Sequence, residues 1–350
     1  MRILFVLPAP VRVPMGGAAV VYRHAAGLAA RGHEVTVAAP RRGAGVRGWA
    51  LRGVVRLRDR WHGVEDAPLL SASGVRTREV ATPSDLDALA YDSVIATGHQ
   101  TAPWIHGALE GRDSGRVYLI QHDERYLSPA AAASWRLPFA RVTIARWIAD
   151  LLRAHGAPVE AVVPNAIDPG EFYVARALED RPPRVIALYH RLAVKGPDTL
   201  VETLTRLKER VPELQADVLA ARPPSHTIPR WATVHVRPDL ATLRSLYNHA
   251  SVCLHTSRLE GWGLVPMEAA ACGCAVAATE SRGVSEFLTA GRSMVTAEVG
   301  NAAQLAEAAH RLLTDREERL RTARAGIEDV ARFSWDDSTD AFEAAILASA

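Results

Sequence analysis

Cysteine is scarce: the 350 residues hold three, Cys253, Cys272 and Cys274, all in one region. Cys272-Gly273-Cys274 has the spacing of a metal or redox pair. No further Cys/His set at zinc spacing accompanies it, so buried thiols in a reducing cytoplasm are the expectation. No uninterrupted apolar run reaches the roughly 18 residues of a membrane-spanning helix. Net charge is only +2, so no global basicity argues for a nucleic-acid partner. There is no Gly-x-Gly-x-x-Gly fingerprint for a dinucleotide, no internal repeat and no low-complexity segment. Residues 1–8 could pass for a signal peptide, but the apolar run is short and a Gly-rich loop follows. They read as a buried first strand.

What is present is a twofold alternation. Strands are expected at 2–7, 34–39, 93–97 and 116–121, with a helix at 17–31. Short all-apolar strands separated by helices indicate parallel sheets covered on both faces. Residues 141–155 read as an amphipathic helix, and 159–163 as a strand. Prolines and charges over 169–183 then suggest a linker. A second series runs through strands at 184–189, 216–220, 233–236, 251–255 and 275–279. Its helices are expected at 198–210, 241–249, 267–272 and 301–313. A last helix spans 336–348. The chain exceeds one comfortable core. The expected architecture is α/β: two doubly wound Rossmann-like domains facing each other across a cleft. Residues 1–168, completed by helix 336–350, form an acceptor-binding half; residues 184–335 form a donor-binding half.

Seven residues separate Glu260 and Glu268 in Glu260-Gly261-Trp262-Gly263-Leu264-Val265-Pro266-Met267-Glu268. The first follows an apolar strand, the second opens an Ala-rich helix, and a Gly-x-Gly turn between them leaves amides that can approach a ligand. Ionised carboxylates so placed suit sugar or ribose hydroxyls. Arg191 and Lys195, four residues apart after strand 184–189, can converge on a diphosphate, Arg as a fork and Lys as a point charge. Gly16 and Gly17, between the first strand and its helix, bring backbone amides and a helix N-terminus to an anion. His122, with Asp123 and Glu124, follows strand 116–121. Asp85-Leu86-Asp87 has Asp-x-Asp spacing but lies in a helix start, so no metal site is expected.

The Glu260–Glu268 segment, with Cys272-Gly273 and strand 275–279 after it, resembles glycosyltransferase family four, retaining enzymes of the GT-B fold. Trp262 replaces that family's usual Phe. His190-Arg191 to Lys195-Gly196 is similar to its Gly-Arg-x-x-x-x-Lys-Gly segment, with His190 in place of Gly. Pro164-Asn165-Ala166-Ile167-Asp168 resembles its Pro-Asn-Gly-Val-Asp, and Ser334-Trp335 the start of its last helix. The resemblance implies that Glu268 holds the ribose and that Glu260 and His122 meet the donor sugar. Arg191, Lys195, Gly16 and Gly17 would hold the diphosphate, and Gly261, Trp262, Gly263, Leu264 and Val265 line the donor site. Gln121-His122-Asp123-Glu124 is loosely similar to a segment of rhamnosyl-transferring members, with Asp123 and Glu124 toward the acceptor.

The implied activity is metal-independent transfer of a sugar, with retention, from a nucleoside diphosphate (UDP, dTDP or GDP) to an acceptor hydroxyl. No cofactor is needed. A nucleotide-sugar epimerase and a non-catalytic nucleotide-sugar-binding protein share the fold and stay open. Residues 41–61 carry seven arginines against Asp59. As a helix they would align Arg52, Arg56 and Arg60, a face suited to an anionic membrane, an anionic acceptor or plain solvent. The expected location is the cytoplasm, with peripheral contact at the inner membrane face as one option.

Overall fold

The structure, a computed structural model, describes residues 1–9, 16–40, 74–112, 115–225 and 227–350. The arginine-rich stretch 41–61 lies outside them, as does Met15. The described residues divide into two compact units: Met1–Pro164 with Trp335–Ala350, and Asn165–Ser334.

Unit 1 is built on β1 (Arg2–Val6), β2 (Glu34–Pro40), β3 (Arg76–Val80), β4 (Ser93–Ala96), β5 (Arg116–Ile120), β6 (Ala140–Thr143) and β7 (Ala161–Val162). They pair in parallel in the order β3-β2-β1-β4-β5-β6-β7. Central strands such as Ile3-Leu4-Phe5-Val6 and Val117-Tyr118-Leu119-Ile120 are wholly buried, as expected where helices cover both faces. Strand β3 was not legible in the sequence. Its Arg-Thr-Arg-Glu run is exposed, and charge on a sheet edge discourages pairing with other chains.

Two expectations need correction here. Residues 141–155 do not form one helix: Ala140–Thr143 is strand β6, and the helix is Arg146–Ala154. The Arg141 guanidinium folds under its own loop and donates to the carbonyls of Trp135 (2.6 Å), Leu137 (2.7 Å) and Phe139 (3.0 Å). Those bonds fix the chain entering β6, whose β-branched Val142 and Thr143 suit a strand. Residues 169–183 are not a free linker. Leu178 joins the core of unit 2, and buried Arg181 donates to Cys272 O (2.6 Å) and Ala250 O (3.1 Å).

Unit 2 repeats the topology with β8 (Arg184–Tyr189), β9 (Gln215–Ala220), β10 (Ala232–Val236), β11 (Val252–His255), β12 (Ala275–Thr279) and β13 (Met294–Ala297). The parallel order is β10-β9-β8-β11-β12-β13. In both sheets the winding reverses beside the first strand, next to β4 in unit 1 and next to β11 in unit 2. Open α/β sheets bind ligands outside the carboxyl ends of strands at such a switch point. Strand β13 and helix Arg316–Val330 were missed in the sequence; the others expected there are present with small shifts in their ends.

The closing helix Trp335–Ser349 packs on helix Gly17–Ala30. Gly27 makes the approach possible, since a Cβ there would come within 2.7 Å of the Thr339 side chain. Phe342 sits 6.0 Å from Phe5 and 4.7 Å from His24, ring to ring. His24 is fully buried, and neither ring nitrogen has a hydrogen-bond partner among the described residues. Burial pushes its pKa down to about 3. An unfolded histidine takes up a proton near pH 6.5, so between about 6.5 and 3 the unfolded chain binds the extra proton. The contribution of neutral His24 is therefore complete above pH 6.5 and is lost as pH falls, by at most about 1.4 kcal/mol per unit. We expect His24→Phe to flatten the loss of stability between pH 6.5 and 4. Urea melts at four pH values check this; an unchanged slope would place the acid sensitivity elsewhere.

Candidate active site

The switch point of unit 2 brings together the loop after β8 and the loop after β11. Gly196, at φ +62°, joins a short turn Ala193–Lys195 to helix Pro197–Arg210. Its missing side chain matters, because a Cβ there would run into the carbonyl of Thr256 just beyond β11. Val194 O accepts from Arg258 N (2.7 Å), and Thr256 Oγ1 donates to Lys195 O (3.2 Å). The two loops are thus stitched by one backbone bond and one side-chain bond to backbone.

Lys195 Nζ then donates to Glu260 Oε1 at 2.6 Å. Both side chains are mostly buried, 18% and 13% exposed, so removing either would leave the other uncompensated in a poorly solvated place. Ser257 Oγ donates to Glu260 Oε2 (3.0 Å). His255 Nε2 lies 3.9 Å from the same oxygen and 3.1 Å from Ser281 Oγ. Burial pushes His255 down to about 4, so it is neutral near pH 7. His190 is also lowered, by burial first and then by Lys195 and Arg191. Its Nδ1 accepts from Leu192 N (3.2 Å), so the histidine that replaces the expected glycine fixes this turn. Arg191 is exposed.

Glu260 is held from behind by residues the sequence reading did not single out. Glu260 N donates to Ser281 O (2.9 Å), and Glu260 bridges to Arg282. Arg282, at φ 74° and ψ −59°, is the centre of a γ-turn closed by Gly283 N to Ser281 O (3.1 Å). That geometry is rare and strained. It slides Gly283 under the motif, where a Cβ would sit 2.7 Å from the carbonyls of Glu260 and Trp262.

Trp262 does not offer its ring to a ligand. It is 3% exposed, stacked on Phe287 (5.4 Å) and edge-on to Phe333 (5.5 Å), with Nε1 3.1 Å from Met267 Sδ. Its aromatic character is used in packing, and only the backbone of 261–263 is left for contact. Gly263, at φ 103°, caps helix Leu264–Ala271. The helix begins a turn earlier than expected, so Glu268 occupies its second turn rather than opening it. Leu264, Val265 and Glu268 are half-buried. Glu268 Oε2 accepts from the hydroxyl of Tyr247 at 2.8 Å.

In unit 1 the end of β5 is tied to the start of helix Gly17–Ala30: Gln121 Nε2 donates to Gly17 O (3.1 Å). Gly16, at φ 54°, precedes helix Gly17–Ala30, which has no side-chain cap. His122 rests edge-on against Tyr126 (4.9 Å) and Trp147 (6.3 Å). Burial works against ionisation of Asp123, yet bonds from Arg125 Nε (2.8 Å) and Arg125 N (3.2 Å) hold its carboxyl below the usual value. Glu124 accepts from His99 N (2.8 Å) and Tyr118 OH (3.3 Å), which latches the loop after β4. Both carboxylates therefore have intramolecular work that their sequence positions did not disclose. Among the described residues no group of three or more His, Cys, Asp or Glu is arranged for a metal ion, and no helix is long and apolar enough to cross a membrane.

The glycosyl transferases group 1 family matches residues 183–315, the segment that carries Arg191, Lys195, Glu260 and Glu268. The chain has the GT-B fold, and its 183–315 segment is similar to glycosyl transferases group 1. It is 28% identical over 218 residues to a D-inositol 3-phosphate glycosyltransferase of Stackebrandtia nassauensis, covering 55% of this chain and 49% of the relative. A D-inositol 3-phosphate glycosyltransferase of Corynebacterium urealyticum is 30% identical over 172 residues, covering 44% and 41%. The chain thus matches about half the length of these curated relatives or less. Among solved structures, sucrose-phosphate synthase of Thermosynechococcus elongatus superposes with a TM-score of 0.77 at 16% identity, over all of both chains. Anabaena HepE in complex with UDP-glucose gives 0.78 at 14% identity, over 99% of this chain and all of its own. At such identities the likeness shows the fold.

The packing under Glu260 gives a direct test. Gly283→Ala would press a methyl group on two carbonyls that cannot retreat, and overpacking of this kind costs about 1–3 kcal/mol. We expect a lower urea midpoint together with a displaced Glu260. Unchanged stability would mean that the 281–283 turn yields freely and does not brace the motif.

Proposed function

We propose that the protein transfers a sugar from a nucleoside diphosphate sugar to an acceptor hydroxyl, with retention and without a metal ion. The observation that carries this reading is the convergence of Lys195 on Glu260 at the β8/β11 switch point, inside the segment that matches the family. HepE was crystallised with UDP-glucose, which makes UDP the first nucleotide to test here.

In this reaction the bond from the anomeric carbon to the diphosphate oxygen breaks, and a bond to the acceptor oxygen forms on the same face. The acceptor proton passes to the departing phosphate oxygen. Negative charge grows on the diphosphate, and Arg191, Lys195 and the amides at Gly16–Gly17 are assigned to it. Preorganised donors aimed at developing charge are the largest usual source of rate. Glu260 and His122 orient the sugar and Glu268 holds the ribose; Asp123 and Glu124 are the acceptor-side candidates. Because Glu260 is pinned by Lys195 and Ser257, it arrives in one orientation, and positioning of this kind lowers the barrier.

Three measurements check the reading. A thermal-shift panel of UDP, dTDP, GDP and ADP should give one clear winner, since a ligand of the folded state raises stability; no shift from any of the four would sink the donor assignment. Product analysis should then find a new glycoside with the donor's anomeric configuration, made equally well in EDTA. An isomerised donor would mean an epimerase. Lys195→Ala and Arg191→Ala should each lower turnover by about 10²–10³, and near-normal rates in both would remove them from the site.

Residues 41–61 are proposed as a peripheral contact with an anionic membrane or a lipid-linked acceptor. Replacing Arg52, Arg56 and Arg60 together with Gln should abolish sedimentation with anionic vesicles and leave donor binding intact. A wild-type chain that never sediments, even at low salt, would end that idea.

A further inference from the structure

Tyr247 is one of the largest side chains in unit 2 that is wholly removed from solvent. It lies in helix Leu240–His249, one strand before the Glu260–Glu268 motif. Its ring is 6.0 Å from that of Phe172, and its carbonyl accepts from Cys274 Sγ (3.1 Å) and from Arg181 Nη1 (3.4 Å). The side chain therefore has a fixed direction. A buried phenol must find a partner for its O–H, and the partner here is Glu268 Oε2 at 2.8 Å. Burial, then the adjacent Glu268 carboxylate, raise the phenol well above its ordinary value, so it stays a donor at every working pH. The contact is thus a charge-assisted hydrogen bond from a rigid base to the end of a side chain with three rotatable bonds.

We infer that Tyr247 is a positioning residue: it fixes the Glu268 carboxylate so that the site distinguishes nucleotides by their ribose hydroxyls. This rests on the reading that Glu268 meets the ribose. A mobile glutamate would have to be ordered on each binding event, at a cost in affinity; a glutamate already anchored by Tyr247 meets the sugar in place. A merely structural role predicts something different. The hydroxyl would then serve only the fold, and its loss would weaken all nucleotides alike.

The test is calorimetry on the full chain with UDP and 2′,3′-dideoxy-UDP, and with the corresponding guanine pair in parallel. Wild type should prefer the ribose form. Tyr247→Phe, isosteric but for the hydroxyl, should lose about tenfold in affinity for the ribose form and stay within about twofold for the dideoxy form. In turnover the donor KM should rise with little change in kcat. In a Glu268→Ala background the Phe substitution should have no further effect on the ratio. Equal losses for both sugars, or no loss, would overturn the assignment, as would a wild type that does not distinguish them. If Tyr247→Phe fails to fold, Tyr247→Met removes the hydroxyl with a more adaptable side chain, and the same two outcomes decide. A wild type that binds none of UDP, dTDP, GDP and ADP sinks the donor reading itself, and this inference with it; one that takes only dTDP, which lacks the 2′ hydroxyl, overturns the inference alone.

Discussion

Gly196 passes so close to Thr256 that no side chain fits between them. The meeting of Lys195 and Glu260 depends on that approach. It sets the loop after β8 on the loop after β11, and only then can Lys195, far away in the sequence, reach Glu260. Lys195 is one of just two lysines in the chain, whose positive charge is otherwise carried by arginine. A single ammonium on a flexible stem fits a narrow place between two loops where a planar fork would need more room.

The network around Glu260 has two layers with different tasks. Lys195 and Ser257 bind the carboxylate directly. Ser281, Arg282 and Gly283 act on its backbone through a strained turn. Non-glycine residues rarely sit at φ 74°, and the strain at Arg282 persists because its neighbours leave no alternative. His255 belongs to neither layer by charge, since burial keeps it neutral. It fills the space behind the carboxylate and bonds to Ser281, so its contribution is shape and a dipole.

Much of the fold and part of the site could be read from the sequence. The alternation of buried strands gave both sheets, and Lys195 and Glu260, both singled out in the sequence, meet at the β8/β11 switch point. The failures have physical causes. β3 was invisible because an exposed edge strand carries no apolar pattern. Residues 141–155 looked helical because a strand and a helix in succession can mimic one amphipathic period. Trp262 was placed in the donor site by resemblance to the family motif, but its ring is turned inward to Phe287. Tyr247 and Ser281 gave no signal at all: their roles exist only after separate segments have met. Asp123 and Glu124 were visible as charges, while their obligations to Arg125 and His99 were not.

The helix Trp335–Ser349 is made after all of unit 2, yet it packs on the first helix of the chain. Unit 2 is contiguous and can fold as soon as it leaves the ribosome. Unit 1 must wait, with the seat for Phe342 beside Phe5 and His24 left uncovered, until a complete second unit has been synthesised. Domains made first usually fold first; here the first-made unit is finished last. Its half-built apolar seat is the surface that a chaperone, or a neighbouring nascent chain, would meet.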